Sequence, residues 1–111
     1  MPSERPTAML KGTLDLLILR TIELQPRHGL GVSDRIAQIT GGTFVVKPGS
    51  LFPALHRLEQ EGYIEGEWSE SEQGRRAKVY RITPSGRRRL ATERKSWHRI
   101  VTAIGQVLDP A

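Results

Sequence analysis

The spacing of apolar residues predicts a chain made mostly of helices. Between residues 10 and 24, leucine and isoleucine recur every three or four positions, which is the period of one helical face. The same spacing predicts a second helix over about residues 32–39. The pair Gly41–Gly42 ends it, because glycine tolerates the left-handed capping conformation. A third helix is predicted between Pro48 and Glu61.

Two later segments alternate apolar and charged residues and predict a β-hairpin. The alternation runs over about residues 63–69 and again over about residues 77–82. A period of two is typical of a half-exposed antiparallel pair of strands. Phe44–Val46, which is aromatic and β-branched, predicts one further, very short strand.

The predicted third helix has one buried and one exposed side. Leu51, Leu55 and Leu58 form its apolar stripe. Pro53 is tolerated if Ser50 is the N-cap, because the proline then lies in the first turn, where backbone donors are unpaired. The exposed side and the residues before it can contact base edges or phosphates. The candidate DNA contacts in this region are Lys47, Ser50, Phe52, Pro53, His56, Arg57 and Gln60.

A long last helix is predicted to begin after Thr83, an N-cap followed by proline, and to continue to about Leu108. Its apolar residues are spaced by threes and fours, as in a helix that packs along another helix. The first helix also carries leucines on its far side. We therefore predict a homodimer whose interface contains Leu16, Leu19, Leu90, Trp97, Val101, Ile104 and Leu108.

Charge is unevenly distributed along the 111-residue chain, whose net charge is +5. Residues 59–72 contain six acidic and no basic residues, whereas residues 75–99 contain ten basic residues and Glu93 as the single acid. This segregation favours binding to duplex DNA; the alternative is a solvated basic helix face. Cations near the hairpin tip would reach phosphates or the minor groove. The candidate contacts there are Gly74, Arg75, Arg76 and Lys78.

Enzymatic chemistry has little support in the sequence. The chain has no cysteine, and His28, His56 and His98 lack the spacing of metal ligands. We therefore expect no catalytic site, metal or cofactor. The first residues lack the apolar region of a secretory signal, and residues 14–24 form a stretch too short to span a bilayer. We expect a cytoplasmic protein without membrane contact.

The order of elements predicts a winged helix-turn-helix, and the sequence resembles PadR-type transcriptional regulators in three segments. These are residues 10–19 with 28–31, residues 49–59 (GSLFPALHRLE) and residues 75–86 (RRAKVYRITPSG). The resemblance covers about residues 9–100 and is to the compact branch with one short C-terminal helix. It implies a homodimer, usually a repressor, that contacts DNA through the third helix and the hairpin. Phe52 stands where the family usually has tyrosine, and Leu30 where it often has an aromatic residue.

The fold class expected is therefore mainly α with a small β-hairpin. It comprises a disordered tail over residues 1–8, a winged helix-turn-helix over 9–83 and a dimerisation helix over 84–108. Trp97 has two interpretations: a ring filling the dimer interface or, as in some compact relatives, one wall of a pocket for a flat aromatic effector. In the second case Ile100, Val101 and Ile104 supply the other walls. The rival function is a winged-helix protein-interaction module, against which the cations at the hairpin tip argue.

Overall fold

A computed structural model describes residues 12–70 and 76–110 of the chain. Four helices and three strands follow one another in the order α1 (Thr13–Leu24), β1 (Arg27–His28), α2 (Gly29–Ile39), α3 (Pro48–Gln60), β2 (Ile64–Glu70), β3 (Arg76–Ile82) and α4 (Pro84–Leu108). The strands form one antiparallel sheet in the order β1-β3-β2. The predicted fold class, mainly helical with a small β-hairpin and a long last helix, is confirmed.

The core lies where α1, α2 and α3 meet one face of the sheet and the start of α4. Its apolar side chains come from every helix and from both long strands, and those that are almost completely buried are Ile18, Leu19, Ile22, Val32, Ile36, Leu51, Leu55, Leu58, Ile64 and Leu90. The stripe predicted for the third helix is thus confirmed. Burial of this apolar surface is the main stabilising contribution in a domain of this size.

The helix α3 has the predicted bounds, but its N-cap is a different residue. The helix begins at Pro48, with Lys47 as N-cap, and the amides of Ser50 and Leu51 donate to the carbonyl of Lys47. The condition that Ser50 is the N-cap is therefore not met. Proline is well suited to the first helical position because no amide is needed there. Pro53 consequently lies inside the helix, in its second turn.

The strand predicted at Phe44–Val46 is absent from the sheet. The amide of Phe44 instead donates to Thr40 Oγ1 at 3.1 Å, and Val46 is buried in the core. The strand that joins the hairpin in the sheet is instead β1, which pairs with Tyr80 and Val79 of β3. Its sequence, Arg27–His28, has no β-branched residue, so pairing with a distant strand and not local propensity makes it extended.

The first turn of α4 is fixed to the rest of the domain by Thr83. Its hydroxyl accepts a hydrogen bond from the amide of Gly86 at 3.0 Å and donates to the carbonyl of Gly62 at 2.6 Å. A side chain at Gly86 would collide with the carbonyl oxygen of Tyr63, so glycine is required for this approach. The predicted N-cap at Thr83 and the helix end at Leu108 are confirmed.

Beyond its first two turns, α4 leaves the core. Leu90 is 1% exposed, whereas Ile104 is 51% and Leu108 71% exposed. None of the helices in the described part of the chain combines the length and apolar character needed to cross a membrane.

Two residues assigned to the dimer interface from the sequence lie elsewhere. Leu19 and Leu90 are 0% and 1% exposed within the single chain, so they belong to its own core and present no surface to a partner. The assignment of these two is corrected. The physical reason is that the start of α4 and strand β3 both pack against α1, which encloses Leu19 and Leu90 in one core. Leu16 is half-buried beside the same core.

Candidate nucleic-acid interface

One side of α3 is open along its whole length. With 100° per residue, Gly49, Pro53, His56 and Gln60 fall within one sector of the helix, opposite the buried leucines. All four residues are exposed. We refer to these four residues as the outer face of α3. A helix held on a core with such a face is suited to the major groove of DNA, which is wide enough to admit it.

Residues at the start of α3 border this face. Lys47 and Ser50 are exposed, and Lys47 makes no ion pair with another residue of the described ranges. Phe52 is 43% exposed and its ring lies against Gly29 at the start of α2, where a Cβ atom would lie 2.9 Å from Phe52 Cε1. Phe52 therefore presents an apolar ring edge where a tyrosine would carry a hydroxyl.

Arg57 was expected to contact DNA, but its guanidinium is engaged within the domain. Nη1 and Nη2 donate to the two carboxylate oxygens of Asp15 at 2.8 and 2.7 Å, and Nη1 also lies 3.4 Å from Glu61. These hydrogen bonds, foremost that to Asp15, raise the pKa of Arg57. A two-pronged bond of this kind has defined geometry. Arg57 thus connects α3 to α1, so the predicted contact with DNA would need the guanidinium that Asp15 already binds.

Lys78 was also expected to contact DNA, from near the hairpin tip. It lies in the middle of β3, and its ammonium donates to Glu59 Oε1 of α3 at 2.8 Å. This hydrogen bond to Glu59 raises the pKa of Lys78. The other oxygen of Glu59 accepts from the amide of Gly66 in β2 at 3.2 Å. Lys78 therefore joins the hairpin to α3, and a contact with DNA would need the ammonium that Glu59 already binds. We call Glu59, Gly66 and Lys78 the Glu59 bridge.

The two ion pairs lie on opposite flanks of α3. Arg57 and Glu59 are two residues apart, which places their side chains about 160° apart around the helix axis. The outer face lies between them. Asp15 holds one flank to α1, and the hairpin holds the other. The orientation of α3 is therefore fixed from both sides while the outer face stays uncovered by the described residues.

The wing is formed by β2 and β3. Near its outer end Trp68 is 57% exposed, and the guanidinium of Arg76 lies 5.1 Å from the centre of its ring, within the range of a cation–π contact. Lys78 lies 5.8 Å from the same ring. Arg76 is exposed at the end of the described part of β3. Gly74 and Arg75, two further predicted contacts, lie outside the described residues.

The predicted dimer residues of α4 lie along one exposed stripe. Val101, Ile104 and Leu108 are exposed, Trp97 is half-buried, and Ile100 lies at the edge of the stripe. They continue the line of Leu90, which points into the core. The residues proposed for an aromatic pocket are thus adjacent on one helix, on a surface without cover from the described part of the chain.

Sequence reasoning missed Asp15, Glu59, Gly66 and Trp68. Gly66 did carry a signal, because a glycine inside a strand often marks a close approach of another group. Here a Cβ atom would collide with the side chain of Lys78. The two ion pairs gave no signal in the sequence, because their partners are 42 and 19 residues apart. Among the described residues, no three metal-ligating side chains lie together.

Three helices on a shared core, an open third helix and a hairpin at its flank define a winged helix-turn-helix domain. The family model described as "Transcriptional regulator PadR-like family" matches residues 18–92. The chain belongs to the PadR-like family of transcriptional regulators and is a DNA-binding regulator of transcription.

Two individual relatives are similar in sequence. An uncharacterized protein of Lysinibacillus sphaericus is 33% identical over 101 residues, which are 91% of this chain and 93% of that protein. A transcriptional regulator of Mycobacterium tuberculosis is 39% identical over 59 residues, which are 53% of this chain and 54% of the regulator.

Solved structures share the fold over nearly the whole chain. A PadR-like transcriptional regulator from Bacillus cereus is 33% identical with a TM-score of 0.80, covering 95% of this chain and 100% of its own. A transcriptional regulator from Clostridium thermocellum is 29% identical with a TM-score of 0.79, covering 86% of this chain and 93% of its own.

Proposed function

We propose that this chain binds a palindromic operator as a homodimer and represses the adjacent gene. The observation that carries the proposal is the outer face of α3. It is exposed along its length, held by ion pairs on both flanks, and bordered by a wing that carries Arg76. In this arrangement α3 enters the major groove, and Arg76 and Lys47 hold phosphates on either side.

Base reading is assigned to His56 and Gln60. Both side chains have hydrogen-bond donors and acceptors, both are exposed, and one helical turn separates them. Ser50 and Lys47 lie near the start of α3, where backbone amides and hydroxyls commonly hold a phosphate. Pro53 and Phe52 offer apolar contacts at the same surface. Arg57 and Lys78 act indirectly, by holding the helix and the wing.

The homodimer is proposed because α4 extends away from the core. Its 18 residues after Leu90 span about 27 Å. The apolar stripe on this part comprises Trp97, Val101, Ile104 and Leu108, and most of it is exposed. Exposed apolar stripes of this length usually mark an interface. A second copy of the same stripe is the simplest cover, since a two-fold axis pairs a surface with itself.

Dimerisation would place two α3 helices on one face of the DNA. Each would occupy a half-site, with the half-sites about 34–36 Å apart, which makes the operator palindromic. A dimer bound across a promoter would exclude RNA polymerase. Trp97, next to Ile100 and Ile104, is proposed to bind a flat aromatic effector at the dimer interface and so change the distance between the wings.

The experiment is selection of duplexes from a randomised 30-bp pool by the purified full chain, followed by sequencing. We expect an inverted repeat with half-sites about one helical turn apart. In vitro transcription from a promoter that overlaps the selected site should fall as protein is added. Recovery of no enriched sequence, with no salt-dependent affinity for any duplex, would contradict the proposal. That result would favour a winged-helix module that binds protein instead.

A further inference from the structure

The side chain of Glu59 in α3 accepts hydrogen bonds from both strands of the wing. Its Oε1 accepts from Lys78 of β3 at 2.8 Å and its Oε2 from the amide of Gly66 of β2 at 3.2 Å. Both Glu59 and Lys78 have 27% of their side-chain surface exposed, so the pair is partly shielded from water. Charge-assisted hydrogen bonds in such a position are stronger than those at an open surface.

The sequence makes room for this connection at Gly66. In the register of the hairpin Gly66 is opposite Tyr80, and Trp68 is opposite Lys78. The Lys78 side chain passes over Gly66 to reach Glu59, and any Cβ atom at position 66 would occupy its path. A glycine in the middle of a strand otherwise weakens the strand. Its presence here is explained by the approach of Lys78.

The wing projects beyond the Glu59 bridge without another ion pair to α3 among the described residues. From Gly66 to Glu70 the strand extends four residues, which is about 13 Å. Trp68 and Arg76 lie on this outer part, Arg76 opposite Glu70. A small rotation of the hairpin about its base would therefore displace Arg76 by several ångströms relative to the outer face of α3.

We propose that Glu59 is a positioning residue that fixes the direction of the wing relative to α3, so that Arg76 and the outer face engage one duplex together. The proposal rests on the DNA binding described above and adds to it a required role for an acidic side chain. Glu59 touches no DNA in this scheme. Its effect passes through Lys78 and Gly66 to the part of the wing that carries Trp68 and Arg76.

The proposal and simple electrostatics predict opposite results for Glu59→Gln. Removing a negative charge beside a DNA-binding surface strengthens attraction to phosphates if nothing else changes. Glutamine, however, has one acceptor oxygen and an amide that only donates, so one of the two hydrogen bonds of the bridge is lost. We expect the affinity for the selected duplex to fall about tenfold, the effect of losing one charge-assisted hydrogen bond.

Glu67→Gln is the matched control. Glu67 is exposed on β2, alternates with Gly66 and Trp68, and so lies on the opposite face of the hairpin. Its substitution makes the same change of charge without touching the bridge, and affinity should stay equal or rise. Equal or tighter binding by both variants would overturn the proposal.

A double-mutant cycle combines Glu59→Gln with Lys78→Met, so that the test does not depend on the folding of a single variant. If Lys78 acts through Glu59, the double variant should bind no more weakly than the weaker single variant. Losses that multiply would show that Lys78 contacts a phosphate independently, which would also overturn the proposal.

The free protein provides a readout that does not depend on DNA. Residual dipolar couplings of backbone amides give the orientation of residues 64–70 and 76–82 relative to α3. We expect that orientation to change, and amide order beyond Gly66 to fall, in Glu59→Gln but not in Glu67→Gln. Unchanged couplings would refute the positioning role. If the wild-type chain binds no duplex, the function proposed above fails, while the couplings still decide whether Glu59 fixes the wing.

Discussion

Arg57 in α3 and Asp15 in α1 form a two-pronged ion pair, with nitrogen–oxygen distances of 2.8 and 2.7 Å, between residues 42 positions apart in the chain. Arg57 lies next to His56 on the helix, and from the sequence alone both belong to one polar surface. The structure separates them: His56 stays on the outer face, whereas Arg57 turns to the flank and anchors the helix.

The first prediction concerns the strength of this anchor. Asp15→Asn should lower the free energy of unfolding by roughly 0.5–1 kcal/mol, a modest value because the Arg57 side chain is half exposed and solvent screens the pair. Urea denaturation of the full chain measures it. Asp34→Asn, an exposed substitution on α2, is the control for loss of a carboxylate. Equal stability of the two variants would show that the anchor contributes nothing.

The second prediction concerns pH. The pKa of Lys78 is raised in the folded chain by its hydrogen bond to Glu59. The stabilisation is therefore fully present below the ordinary lysine pKa, about 10.4, and is lost as pH rises through the raised value. The difference in unfolding free energy between wild type and Lys78→Met should stay constant from pH 7 to about pH 10. If the difference in unfolding free energy already declines between pH 7 and 9, a group other than Lys78 is responsible for it.

The third prediction tests Arg76 as a phosphate contact. Arg76→Ala should weaken binding to selected and unrelated duplexes alike and reduce the slope of log K against log salt by roughly one. Arg81→Ala is the control, because Arg81 lies on the other face of the hairpin, paired opposite Glu65. A changed sequence preference with an unchanged slope would instead assign base reading to Arg76.

Much of this fold was predictable from local patterns. The parts that were not predictable depend on contacts between residues that are distant in the chain. Helix boundaries at Thr83 and Leu108 follow from capping and apolar spacing. In contrast, β1 exists through pairing with Tyr80 and Val79, which lie far along the chain. The apolar period also shows that Leu19 and Leu90 are covered, without showing whether their own chain or a partner covers them.

The candidate site was predictable to a similar degree. The outer face of α3 follows from the leucine stripe opposite it, which is why His56 and Gln60 were identified. The partners of Arg57 and Lys78 could not be predicted, because a basic residue looks the same in a sequence whether it binds a phosphate or a carboxylate. Only the three-dimensional positions of Asp15 and Glu59 separate the two cases.

The fourth prediction tests the dimer without disturbing the core. Val101 and Ile104 are about half exposed, so replacing both with glutamate should leave the domain folded but place like charges across the proposed interface. Sedimentation should show a monomer, and affinity for the selected duplex should fall with the loss of the second half-site. Thr102→Glu, on the opposite side of α4, should remain dimeric. A dimer that persists in the double variant would exclude this stripe as the interface.

The last prediction decides between the two roles of Trp97. If its ring only fills the dimer interface, Trp97→Ala should lower stability by about 3–5 kcal/mol, and flat aromatic compounds should not affect DNA binding. If Trp97 lines an effector site, such compounds should quench its fluorescence and weaken operator binding over the same concentration range. The measurement uses Trp68→Phe, because Trp68 is exposed on the wing and contributes its own emission. Quenching without any change in operator affinity would identify a binding site that has no regulatory effect.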